Sequence, residues 1–148
     1  MNKRKNRKNS RMRKRKRIIM GNLQGLDMGD LINLLAGVED FRILITYAFF
    51  ANSLAKRAKK GRKRRKFYLL KSLALLFLWD KFPGPIDVSY TEENGKSRLT
   101  FCYYNESGVI KGLHIPYWAI RKASILLDER GIEIDLKAKM SSLQEVPS

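Results

Sequence analysis

The sequence predicts an α+β fold: a disordered basic arm, about three helices with a helical hairpin, then βββαβ around a small antiparallel sheet. Three observations carry that reading. Apolar side chains run at helical spacing, or all round, between residues 28 and 81. The triplet Pro83-Gly84-Pro85 then halts helical structure. Beyond it, apolar and polar residues alternate about Asn94-Gly95, the strongest short hairpin signal a sequence offers.

The elements follow in order. Residues 22–36 carry Leu23, Leu26, Leu31, Ile32, Leu34 and Leu35, with Asp27 or Asp30 to cap a start and Gly37 to end it. A short helix over 28–36 results. Glu39 and Asp40 place negative charge at the next helix start. From Phe41 to Lys60 there is neither Gly nor Pro, and the run ends in cations before Gly61. Its apolar residues cover nearly the whole circumference, which predicts burial on most sides. A third helix spans Arg64 to Lys81, apolar from Phe67 to Trp79 apart from Lys71 and Ser72.

In the second half, Ile86, Val88 and Tyr90 alternate with Asp87 and Ser89. Glu93 and Lys96 flank the turn and can pair across it, and Leu99, Phe101 and Tyr103 continue the partner strand. Asn105 to Gly108 make a second turn, and Val109 to Ile115 a third strand. Pro116 opens a helix over Tyr117–Arg130, which Gly131 ends. Ile132, Ile134 and Leu136 alternate with Glu133, Asp135 and Lys137, which predicts a short final strand. The organisation is a basic arm at 1–20, a helical part at 21–82 with a basic loop at 55–66, a sheet-and-helix part of the same domain at 86–137, and a flexible tail at 138–148.

Charge points to a partner. The net charge is +17, and its excess sits in two clusters on a near-neutral body. Residues 1–26 hold Lys3, Arg4, Lys5, Arg7, Lys8, Arg11, Arg13, Lys14, Arg15, Lys16 and Arg17 with no acid. Residues 55–66 hold Lys56, Arg57, Lys59, Lys60, Arg62, Lys63, Arg64, Arg65 and Lys66, again with no acid. Cations this dense repel one another and cannot enter a core, so they call for a polyanion. Phosphates would order the arm with release of counterions. At the start of the third helix the cations oppose the helix dipole, which an anionic ligand relieves. These twenty side chains are the expected nucleic-acid-binding residues, on DNA or on RNA. A solvated loop, a targeting signal and a solubilising tail are the bland alternatives.

Other classes fit less well. The apolar hairpin with its basic loop suggests membrane contact as the alternative partner, but Phe67 to Trp79 spans only about 20 Å at 1.5 Å per residue. A homodimer through the apolar helices is another use for that surface. Asp87 with Glu133, Asp135 and Lys137 faintly resembles the carboxylate-and-lysine layout of restriction-type nucleases; an amphipathic strand with a solvated face explains them better. Tyr90, Phe101, Tyr103 and Tyr104 could stack bases, although strand aromatics more often pack within a sheet. His114 has no partner nearby in sequence, and Cys102 reads as a buried small hydrophobe. No catalytic residue, metal ligand or cofactor is expected. With no secretory signal, a cytoplasmic location is expected: nucleoid, ribonucleoprotein or virion, or the nucleus of a eukaryote.

Overall fold

A computed structural model describes residues 25, 27–59, 61–104, 107–108 and 110–143. The basic arm, Lys60 and residues 144–148 lie outside the described residues. The elements run α1 (Met28–Ala36), α2 (Phe41–Arg57), α3 (Arg62–Lys81), β1 (Ile86–Glu93), β2 (Lys96–Tyr104), β3 (Ile110–Pro116), α4 (Tyr117–Asp128) and α5 (Leu136–Ser141).

The α+β class holds, and the helix starts show why. Asp27 caps α1 by accepting from the Asp30 N–H at 2.8 Å, and Asp40 caps α2 by accepting from the Arg42 N–H at 2.9 Å. The bonded amide holds the Asp27 carboxyl below its ordinary pKa. Gly61 plays a different part from the one expected. α2 already ends at Arg57, and Gly61, at φ 129°, forms the cap of α3. Only glycine takes that conformation readily, which is why the chain can turn back so sharply here.

Helix α3 is the axis of the domain. Every residue from Leu70 to Trp79 is buried, nearly three turns of it. It contacts α1, α2, α4 and β3, so each side of the helix meets a different neighbour. Helix α2, in contrast, is not buried on most sides. It buries one stripe (Leu44, Ile45, Ala48, Ala51, Leu54 and Ala55), while Arg42 and Ile43 face solvent. The small alanines of that stripe let α2 lie closely against α3.

The sheet has the order β1-β2-β3 and is antiparallel throughout. Glu93 pairs with Lys96 across a two-residue turn in which Asn94 and Gly95 take φ of 53° and 75°. Leu99 pairs with Ile115, and Phe101 with Leu113; this face is buried. Trp79 of α3 meets Phe101 edge-on at 5.6 Å. One hydrophobic cluster joins both halves, from Leu31 through Ile134.

The expected fourth strand does not form. Residues 132–135 are irregular, and Asp135 accepts from the Ala138 N–H at 3.0 Å to cap α5. Ile134 is buried, so the alternation reflects one anchored side chain rather than a ladder. Part of the expected tail, 138–141, is therefore helical. Lys139 fastens it by pairing with Asp80 at 3.4 Å and lying 5.6 Å over the Trp79 ring.

Candidate nucleic-acid interface

The basic loop is two helix ends rather than a free loop. Lys56 and Arg57 form the last turn of α2, where cations complement the dipole. Arg62 to Lys66 form the first turn of α3, which carries no acid and receives no side-chain cap. Lys56, Arg57, Lys59, Arg62, Lys63, Arg64 and Arg65 are exposed, and Lys66 is half-buried. Apart from Lys59, which lies beyond α2, these residues sit on helix ends held by the packing of α2 on α3, so they present their charge in a defined place.

That turn sorts the cations onto two flanks. On one, Arg57, Lys63 and Lys66 border a cleft of about 310 Å³ floored by Leu54, Ala58 and Phe67. On the other, Arg64 stands 5.6 Å over the Tyr68 ring and donates to its hydroxyl at 3.4 Å. Tyr68 in turn meets Trp118 of α4 at 6.4 Å. Trp118 is 50% exposed, unusual for so large an apolar surface. It borders a groove with Arg121, Lys122 and Ile125, beside the hairpin turn at Gly95 and Lys96. A strip of cation, ring, ring and cation thus runs from the basic turn onto α4.

Sequence reasoning missed this strip because Tyr68 and Trp118 are 50 positions apart. The helical spacing of Trp118, Arg121, Lys122 and Ile125 was the available signal. The strand aromatics do not form a platform. Phe101 is in the core, Tyr103 packs on Phe41 at 6.4 Å, and the Tyr90 hydroxyl bonds Ser97 at 2.9 Å; Tyr104 alone of the four is exposed.

Lys71 is more than an interruption of the apolar run. It is 3% exposed, and its ammonium donates to Asn52 Oδ1 at 2.8 Å and to the backbone carbonyl of His114 on edge strand β3. Both acceptors are neutral. Burial, with the nearby Lys56 charge, pulls its pKa down to about 8. His114 does have a polar partner, supplied by strand register: Thr100 Oγ1 lies 2.9 Å from Nδ1. Its pKa is lowered by burial, then by the charges of Arg98 and Lys71. Cys102 is half-buried on the face opposite Phe101, not in the core.

The carboxylates do not converge. Asp135 caps α5 and Asp87 sits exposed on β1. Among the described residues, no three His, Cys, Asp or Glu side chains gather where a metal ion could sit. Among the same residues, no helix is long and apolar enough to cross a membrane. No protein-family model, curated protein or solved structure matches this chain.

Proposed function

We propose that this chain is a non-catalytic nucleic-acid-binding protein. It grips phosphates through the arm and the α2–α3 turn, and holds unpaired bases against Trp118. It serves as a component of an RNA-containing particle or of a DNA regulatory or packaging complex. The observation that carries this is the α3 start: five consecutive cations, no acid and no side-chain cap. Such a turn has free N–H groups and a dipole that both favour an anion, while its own side chains strain against that dipole. The adjoining rings favour a strand with accessible bases, since every base has a face on which an aromatic can stack.

The apolar run of α3 gives no support to membrane contact, because its surface is occupied. Leu70 to Trp79 lies inside the domain, covered by α1, α2, α4 and the sheet.

The protein purified at low salt should carry nucleic acid, seen as a high ratio of absorbance at 260 to 280 nm that falls after a high-salt wash. A clean protein spectrum at low salt, together with no uptake of added RNA or DNA, would refute the proposal.

A further inference from the structure

Between the free edge of β3 and the α2–α3 pair lies a second cleft, of about 310 Å³. Helix α2 contributes Asn52 and Lys56, α3 contributes Tyr68 and Lys71, and the sheet contributes Arg98 and His114. Three of these residues are cationic, and among the described residues no carboxylate lines the cleft. The usual arrangement for a buried ammonium is a carboxylate beside it, since a charge withdrawn from water needs a counter-charge. Lys71 has only an amide oxygen and a backbone carbonyl, two acceptors for three N–H donors among the described residues.

Capping an edge-strand carbonyl explains one of those bonds. It does not explain why Lys56 and Arg98 are gathered around the same opening. Like charges assembled without a counter-ion destabilise one another. The depressed His114 and Lys71 pKa values report that positive potential in addition to burial. A phosphate anion seated here would offset it, accept a hydrogen bond from the remaining Lys71 N–H, and meet guanidinium and ammonium groups suited to tetrahedral oxyanions.

We propose that the cleft lined by Lys56, Lys71, Arg98 and His114 is a binding site for a single phosphate group. The chemistry is shared by a free phosphate, a nucleotide monoester and a backbone diester of a nucleic acid. The site shares Lys56 and Tyr68 with the proposed interface, but it requires the cleft and neither the arm nor the first turn of α3.

Because His114 is the only histidine, its ring resonances in the full-length protein identify themselves. The experiment titrates His114 by NMR at constant ionic strength, with inorganic phosphate against chloride. Bound phosphate should raise its pKa saturably, by several tenths of a unit or more. Arg98→Ala, at an exposed position, should weaken that response at least tenfold, as should Lys56→Ala. Lys71→Met should abolish it, and the two surface variants keep the test intact if that core variant unfolds. Separate arms with a nucleoside monophosphate and with an oligonucleotide lacking terminal phosphates identify the source: whichever displaces inorganic phosphate is the form the site accepts. A His114 titration indifferent to phosphate, or a response unchanged in both Arg98→Ala and Lys56→Ala, would overturn the proposal. Phosphate binding in a chain that ignores RNA and DNA would sink the proposed function and leave this site standing.

Discussion

Replacing Lys71 by methionine should change how the stability of the domain depends on pH. The ammonium is buried beside Asn52, Tyr68 and His114, with Lys56 and Arg98 around the same cleft. Burial and the Lys56 charge lower its pKa from 10.5 to about 8. The unfolded chain, with its ordinary lysine, then binds more protons than the native one between those two values. Stability therefore rises with pH across that window and is lowest below it. At about 1.4 kcal/mol per pH unit, the gap corresponds to roughly 3 kcal/mol, an upper bound. Lys71→Met keeps an unbranched apolar stem, one atom shorter, and removes the titrating group. Urea unfolding of both chains from pH 7 to 10.5 measures the effect, and subtracting the two curves cancels titrations that both share. The difference should move by up to roughly 3 kcal/mol in favour of the native sequence as pH rises. A difference that stays level from pH 8 to 10.5 would show that Lys71 titrates normally, and that the buried-ammonium argument is mistaken.

Changing Arg62, Lys63, Arg64 and Arg65 together to glutamine should flatten the salt dependence of binding to a single strand. At about 0.7 per phosphate contact, the log–log slope should shrink by roughly 3, measured by fluorescence anisotropy. The same variant should melt no lower than the parent by circular dichroism, because those cations oppose the dipole of α3. Trp118→Ala should weaken single-strand binding by about 1–3 kcal/mol and leave duplex binding less affected, since only unpaired bases can stack on the ring. In the core, Leu73→Ala should cost about 2–5 kcal/mol in a chemical denaturation series. Ile125→Ala, at a half-exposed position, should cost less than about 1 kcal/mol in the same series.

Local chemistry made much of the fold legible. Asp27, Asp40, Asn94-Gly95 and Pro83-Gly84-Pro85 each act within a few residues, so their effects can be read from the chain alone. The segment 132–136 misleads because alternation is only half the requirement for a strand: the segment must also be laid along a sheet edge. Residues 132–135 pair with neither edge strand, β1 or β3, and the Asp135 carboxylate starts a helix instead. The all-round apolar pattern of α2 misled in a similar way. Its aromatic residues pack partly against the core while only one stripe is sealed.

The candidate site divides along the same line. The cationic cluster is contiguous in sequence and was visible at once. The fixed geometry that puts Arg64 on Tyr68, and Tyr68 on Trp118, comes from α4 packing against α3. Lys71 looked like one interruption in an apolar run. Its meaning depends on β3, which brings the His114 carbonyl to it from 43 positions away.

The central claim is that the two cationic stretches neutralise a polymer of phosphates. Binding of the intact chain to single-stranded RNA, duplex RNA and duplex DNA across a salt series tests it most directly. A parallel series uses a chain lacking residues 1–17 and neutralised at 62–66. The intact protein should bind at low ionic strength, with a slope of about −7 on duplex DNA if roughly eight phosphates are contacted, and the stripped chain should lose most of that affinity. Equal affinity in the two chains, or no binding by the intact protein at low salt, would contradict the account.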